Sequence, residues 1–409
     1  MRWGVRSKYK TAWFVWGLAA LYYFSDYLAR VSPGVIHQDL QSAFSLTEAG
    51  FGLMTYAFYL PYIIMQIPVG LLVDRFSIRK LLTCMSLITG LGCVFFGCAQ
   101  SLMMAVFGRM LIGFSSSCAF IAAMRLATVW FPVSMLGLLA GLTQALGMLG
   151  AAAGEAPIAA LAKLLGWRSC MLVLAGLFLV LAFVIYTCIS EKKLQTNAAE
   201  LKILPALQLI LKNKQLWCIA LYAGCLFGPT AVIGEAYGPA LLQYGWGLTA
   251  TQAANAIGYI FIGWGLGGPI IGWLSDYFET RRPLMIISAL CTCLFTLIIV
   301  YLPMHNMLLT YGLFFLFGLT NCGVCLAYAL ASEITHKSAA GLAIALTNMA
   351  SIFVGATLQP IVGKIIDTTA GLRACNVKLL ALPDFQHALV LIIVAAGLAL
   401  LLSLFLKKT

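Results

Sequence analysis

Charged side chains are scarce in this sequence. Asp, Glu, Lys and Arg make up 9% of its 409 residues, against 62% hydrophobic residues, whereas a soluble domain has about one-quarter charged residues. This scarcity excludes an ordinary soluble protein and indicates an integral membrane protein. The sequence also lacks a Gly-x-x-x-x-Gly-Lys-Ser/Thr segment, which argues against nucleotide binding.

Long polar stretches are few as well, and apolar runs of about 20 residues, the length that crosses a bilayer, follow one another along the chain. We predict twelve transmembrane helices. They lie near residues 11–35, 49–73, 80–99, 102–126, 134–161, 168–190, 216–242, 252–275, 283–303, 307–331, 339–366 and 385–406.

The formal net charge of +12 is carried by basic residues in the gaps between apolar runs. If the N-terminus is cytoplasmic, seventeen of the 25 Lys and Arg residues fall on the cytoplasmic side. Such an asymmetry sets membrane orientation. With an even number of helices it places both termini in the cytoplasm, and nucleic acid is not an expected partner.

Cysteine chemistry is not indicated, although the chain has 13 cysteines. Nearly all of them lie in predicted helices, so no disulfide framework is expected. Cys322-x-x-Cys325 lies in an apolar helix without a nearby His, which argues against a metal site. No metal and no cofactor are expected.

Catalytic side chains are not grouped in the sequence. No Ser and His pair, Asp pair or metal cluster occurs at helix spacing, so the chain is not expected to be an enzyme.

One short sequence segment occurs twice, and the two copies are separated by about half the length of the chain. A glycine at the end of an apolar helix is followed by an aspartate and then by basic residues, which predicts a tight helix contact beside a charged cluster, as in a sliding joint. The repetition predicts two similar bundles, residues 1–190 and 216–409, joined by a cytoplasmic linker at 191–215. The repeated residues are Gly70, Asp74, Arg75, Arg79 and Lys80, then Gly272, Asp276, Arg281 and Arg282.

The first copy resembles the loop motif between the second and third helices of the major facilitator superfamily, with Ser77 where the family has Gly. Arg109 to Gly113 resembles the family's Arg-x-x-x-Gly signature in the fourth helix. The resemblance implies an all-α membrane protein with two pseudo-symmetric six-helix bundles around a central cavity that opens alternately to either side. It implies that the repeated charged clusters act in gating.

The fifth helix partly resembles the glycine motif of antiporters of this superfamily. Gly141, Gly150 and Gly154 match, but Glu155 stands where the motif has Pro. The departure replaces the central kink residue with a carboxylate, and Pro157 could shift the kink. Drug export therefore does not follow from this pattern.

Ionisable groups at membrane depth are costly and are usually paired or functional. We predict that Asp26, Glu155 and Glu235 are the proton-coupling candidates. Asp26 lies one turn from Arg30, so an alternative is that the two neutralise each other. For Glu155 and Glu235 the alternative is a carboxylate at the outer water boundary.

Arg30 and Arg125 are the predicted contacts for an anionic substrate. Snorkelling of Arg125 to the cytoplasmic surface is the alternative. Polar residues at membrane depth are further candidates, although hydrogen bonding between helices would explain each of them equally well. These candidates are Tyr59, Gln144, Tyr237, Asn321 and Asn348.

The sequence thus predicts a secondary active transporter in a bacterial inner membrane. Proton-coupled uptake of a small anionic or zwitterionic organic solute, such as a carboxylate, amino acid, peptide-like or siderophore-like compound, is favoured by the two arginines. The expected partners are this substrate, protons and the lipid bilayer, and the expected state is a monomer. The alternatives are a proton-coupled exporter of drugs or metabolites and a transporter-like receptor or sensor.

Overall fold

The computed structural model describes residues 2–132, 135–189, 210–335, 340–373 and 380–406, which are almost entirely helical. The first half contains α1 (Arg2–Val35), α2 (His37–Phe44), α3 (Glu48–Arg75), α4 (Ile78–Gly97), α5 (Leu102–Trp130), α6 (Leu136–Ala153), α7 (Ala156–Leu165) and α8 (Trp167–Cys188). The second half contains α9 (Lys214–Pro229), α10 (Ala250–Tyr277), α11 (Arg282–Tyr301), α12 (Met307–Asn321), α13 (Val324–Glu333), α14 (Ala340–Arg373) and α15 (Leu382–Leu404).

Each segment predicted to cross the membrane overlaps a helix of the structure. Among the described residues, ten helical segments are long and apolar enough for a crossing. Helices α1 and α3 are two further long helices, and the total of twelve crossings stays a prediction. Most of the predicted linker lies outside the described residues, because these stop at 189 and resume at 210.

Short polar side chains begin several helices. Thr47, Ser77 and Ser101 each accept a hydrogen bond from the backbone N–H three residues further on, and Thr249 forms a capping box with Gln252 at the start of α10. These side chains satisfy backbone donors that a helix start leaves without a partner.

Two of the helix interruptions lie beside candidate acidic residues, Glu155 and Glu235. Helix α6 ends at Ala153 and α7 begins at Ala156, with Glu155 between them at φ −92° and ψ −96°. Pro157 is the second residue of α7 and supplies no N–H to the preceding turn. Beyond Pro229 the α9 helix widens into π-helical turns over Thr230–Tyr237, a form often found at functional sites.

Helices pack against one another within each half and between the halves. In the first half α4 packs on α5 and α8, and α3 packs on α5; in the second half α9 packs on α14 and α15, and α10 packs on α12. Helix α3 contacts α14, α6 contacts α10, and α1 contacts the π-helical segment. These three contacts join the halves and bring charged side chains of both together.

Candidate functional site

An ion pair between the two halves lies at the centre of the candidate site. Nη2 of Arg30 on α1 lies 3.0 Å from Oε1 of Glu235 on the π-helical segment, and the two side chains are 5% and 3% exposed. The hydroxyl of Tyr59 on α3 donates to Oε2 of Glu235. Glu235 therefore binds two helices of the opposite half through its two carboxylate oxygens.

Aromatic rings surround the Arg30 guanidinium. Its central carbon lies between 5.0 and 5.8 Å from four ring centroids, a range in which a cation is attracted by the ring faces. The cage keeps the guanidinium away from water while leaving its charge stabilised. The rings belong to Tyr27, Phe58, Tyr59 and Tyr62.

Asp26 has a different partner from the one that its spacing suggests. Its buried carboxylate accepts a hydrogen bond from the hydroxyl of Ser116 on α5, while the ion pair of Arg30 is with Glu235. Mutual neutralisation of Asp26 and Arg30 by direct pairing is thus not what the structure shows. The Arg30 charge is balanced across the interface between the halves.

Arg109 holds the end of α1 in place. Pro33 has no N–H, so the carbonyl of Ala29 loses its helical donor, and Nη1 of Arg109 supplies one at 2.9 Å. Nη2 of Arg109 also donates to the carbonyl of Arg30 at 3.3 Å. This buried arginine therefore fixes the backbone from which Arg30 extends.

Two of the predicted polar residues lie in hydrogen-bond chains from opposite halves. Oε1 of Gln144 accepts from the Tyr23 hydroxyl at 3.3 Å. The side chain of Asn348 accepts from the Tyr328 hydroxyl at 3.0 Å and donates to Gln66 of α3 at 3.1 Å. Helices α6 and α14 thus contribute groups that accept and donate hydrogen bonds.

Other predicted substrate contacts have different surroundings in this conformation. The Tyr237 hydroxyl donates to the carbonyls of Glu48 and Gln359, and the Asn321 amide donates to the Leu226 carbonyl at 2.7 Å. Arg125 is half-buried and follows Arg109 by sixteen residues, about 24 Å along a helix axis. Their roles in substrate binding stay predictions.

The end of the bundle that contains His37 is closed by a polar cluster, which we call the His37 end. Nε2 of His37 lies 2.9 Å from Oε2 of Glu48, and both side chains are buried. Asp367 of α14 accepts from the backbone N–H groups of Glu48 and Ala49 at 3.1 and 2.8 Å. A carboxylate from the second half thereby caps the α3 helix of the first half.

Comparison with known proteins identifies the family. Residues 15–360 and 229–409 match the sequence model of the family described as Major Facilitator Superfamily. The chain belongs to this superfamily. A solved structure described as a bacterial homologue of the human lysosomal transporter Spinster, inward-facing and unoccupied, superposes with a TM-score of 0.76 at 15% identity, covering 96% of this chain and 97% of that one.

Two relatives within the superfamily are named for organic acids. A probable sulfoacetate transporter of Cupriavidus necator is 33% identical over 43% of this chain and 41% of its own length. A probable L-galactonate transporter of Escherichia coli is 25% identical over 85% of this chain and 82% of its own length. The match to the first relative therefore spans less than half of that protein.

The superfamily loop motif is only partly described. Asp74 and Arg75 lie at the end of α3, and their side chains lie outside the described part of the chain. The Arg79 guanidinium lies 5.1 Å from the centroid of the Tyr186 ring, and Lys80 is exposed. The tight helix contact expected at Gly70 and Gly272 is not formed among the described residues in this conformation, where a Cβ atom added at either glycine would meet none of their atoms within 4 Å.

The second copy of the motif forms a described charge cluster. Nη2 of Arg281 lies 2.5 Å from Oε1 of Glu333 and 3.6 Å from Oδ1 of Asp276. The hydrogen bonds to Glu333 raise the pKa of the Arg281 guanidinium, so this side chain stays charged. Arg282 donates to the carbonyl of Leu404 at 2.5 Å. The cluster ties together α10, α11, α13 and α15, all in the second half of the superfamily fold.

Sequence reasoning missed several residues of the site. Arg109 entered only as a family signature, yet Pro33 in the first helix was a signal that a carbonyl there needed a donor. Ser116 and Gln66 carried no such signal, because small hydroxyls and amides are common in membrane helices. His37 lies at a helix end, and its burial against Glu48 depends on how α2 packs.

Proposed function

We propose that this protein is a proton-coupled symporter that takes up a small anionic or zwitterionic organic solute by alternating access. The observation that carries the proposal is the buried Arg30 to Glu235 ion pair, which joins the two halves at membrane depth. A buried ion pair contributes little net stability, so its presence calls for a functional reason. An arginine that can exchange one carboxylate for another supplies that reason.

The pair couples anion binding to proton binding. A substrate carboxylate competes with Glu235 for the Arg30 guanidinium, and Glu235 gives up the contact when it takes a proton. Arg30 suits this exchange because its planar fork binds a carboxylate through two hydrogen bonds. The site then holds one proton and one anion together, so the two solutes move in the same direction.

The surrounding groups suggest an oxygenated substrate. The amide of Gln144 is linked to the rings around Arg30 through Tyr23 and Tyr27, and the amide of Asn348 in the second half binds Gln66. Such amide groups suit hydroxyl or amine substituents on the solute. The named substrates of the two relatives, sulfoacetate and L-galactonate, are organic anions. We therefore propose a hydroxylated or sulfonated carboxylate as the first compound class to test.

Orientation follows from the distribution of basic residues. With the N-terminus in the cytoplasm, as the positive-inside rule favours, α1 ends at the outer face of a bacterial inner membrane. The His37 end is then the outer gate, and the structure is closed toward the outside. Uptake would require this gate to open, admit the solute and a proton, and close again.

Proton movement in liposomes tests the proposal. The purified protein is reconstituted with a pH dye inside, and pools of carboxylates, sulfonates, amino acids and cationic drugs are added outside. Internal acidification by an anionic pool supports symport. Alkalinisation by cations under an acid-inside gradient would instead support the exporter, and binding without movement of solute or proton would support the sensor.

The variant Glu235→Gln separates coupling from binding. It removes the proton acceptor but keeps the size of the side chain, so we expect net uptake against a gradient to be lost while exchange of labelled for unlabelled substrate continues. The matched control is Glu279→Gln, which makes the same change at an exposed carboxylate outside the candidate site. Normal uphill transport by the Glu235→Gln variant would contradict the role of Glu235.

A further inference from the structure

Glu155 is a buried carboxyl without a partner. Its residue is 1% exposed, and neither carboxyl oxygen has a hydrogen-bond partner among the described residues. An acidic residue at the start of a helix ordinarily caps it, but the Glu155 side chain makes no capping hydrogen bond to α7. A structural role as a helix cap is therefore excluded in this conformation.

The carboxyl lies where the two halves meet. A Cβ atom added at Gly258 of α10 would lie 3.8 Å from Cβ of Glu155, and the neighbouring Gly154 is packed against Val31 of α1. These neighbours are apolar, so closing the contact between α10 and the α6 to α7 break removes water from Glu155 without supplying a donor. An ionised carboxylate in that position is strongly disfavoured.

The charged groups around Glu155 do not offset this cost. Glu235 faces it across the interface and interacts with it electrostatically as a like charge. On α1, Arg30 is engaged by Glu235 and Asp26 by Ser116. Lys163 is exposed, two turns along α7, and Arg168 on α8 contacts the Trp167 ring and the Ala99 carbonyl.

We propose that Glu155 is a second proton-binding site, whose protonation is required for the His37 end to close. This inference rests on the proposed coupling to protons but assigns the gating proton to a residue other than Glu235. The closed state binds one proton that the open state releases to water. Closure is therefore favoured at low pH and is lost as pH rises. The equilibrium constant for closing falls by up to about tenfold for each pH unit.

Amide hydrogen exchange of the full-length protein in lipid nanodiscs tests this site. The peptides compared are those covering Ala156–Leu165 and the first turns of α10, at pH 6 and pH 8, after correction for the intrinsic pH dependence of exchange. In the wild-type protein we expect faster corrected exchange at pH 8. In Glu155→Gln, which carries a permanently neutral group, we expect slow exchange at both values.

Two further variants keep the test decisive. Glu155→Leu, an apolar group of similar size, should also stay protected at both pH values. Glu279→Gln, which changes an exposed carboxylate remote from Glu155 in the chain, should keep the pH response of the wild type. A wild-type pH response retained in both Glu155 variants would overturn the proposal, as would a wild-type protein without any response. Because the readout is exchange, it is independent of whether solute and protons are transported together.

Discussion

At the scale of single residues, the site is built around an arginine whose charge is balanced from the other half of the chain. Arg30 has aromatic faces on several sides and one carboxylate partner, so the group that replaces Glu235 inherits an apolar, water-poor surrounding. Electrostatic attraction is stronger in such a surrounding than in water. On the proposed function, this surrounding is what lets one side chain select anions.

Replacing Arg30 by Lys tests that selection. A lysine keeps the charge but offers a point contact in place of a planar fork, so we expect the half-saturating substrate concentration to rise about tenfold or more. Initial rates of uptake of labelled substrate at increasing concentration measure it. Arg168→Lys is the matched control, since Arg168 lies on the Trp167 ring at a helix start. An equal rise of the half-saturating concentration in both variants would contradict the role of Arg30.

The sequence predicts which residues matter at this scale better than it predicts their partners. Arg30, Glu235 and Tyr59 are recognisable because charge and hydroxyls are rare at membrane depth. Asp26 seemed the natural partner of Arg30, since the two are one helical turn apart. The pairing with Glu235 depends instead on how α1 packs against a helix from the other half, which local spacing does not contain.

At the scale of helices, glycines decide how closely neighbours approach. In α6, a Cβ atom at Gly150 would collide with the Phe24 carbonyl of α1, whereas one at Gly141 would meet no atom of the described residues within 4 Å. Both glycines belong to the same sequence pattern, but the packing of α1 on α6 requires only Gly150 and not Gly141.

Alanine substitutions in α6 separate these two cases. Gly150→Ala should push α1 and α6 apart and destabilise the protein by about 1–3 kcal/mol. Gly141→Ala should be neutral or stabilising by up to about 1 kcal/mol, since alanine favours a helix. Thermal unfolding in detergent compares them, and equal melting temperatures for the two variants would contradict the close contact.

Helix interruptions show the limit of prediction at this scale. Pro157 indicated a shifted kink, and the structure places the break beside it, at Glu155. After Pro229 the helix takes a π-helical form over Thr230–Tyr237, which was not predicted from the sequence. A proline marks where a hydrogen bond is missing; which neighbouring groups then replace that bond depends on the packing of other helices.

At the scale of the whole molecule, the internal repeat and the loop motif were sufficient to predict the superfamily, but not the conformation. Described contacts between the halves include those at the His37 end, where Asp367 caps α3 and the side chains of Gln38 and Gln243 are 3.3 Å apart. Two halves that rock about a central site must break these contacts once in each cycle. The same sequence must therefore be compatible with a second set of contacts.

Cross-linking the His37 end tests this cycle. In the double variant Gln38→Cys and Gln243→Cys, a short reducible bis-thiosulfonate linker should join the two halves and stop transport, because the outer gate can no longer open. Reduction should restore transport. Each single variant treated with the same linker is the control for the native cysteines. Full transport by a protein shown by mass spectrometry to be cross-linked would mean that the His37 end does not open during transport, and the rocking mechanism would fail for this protein.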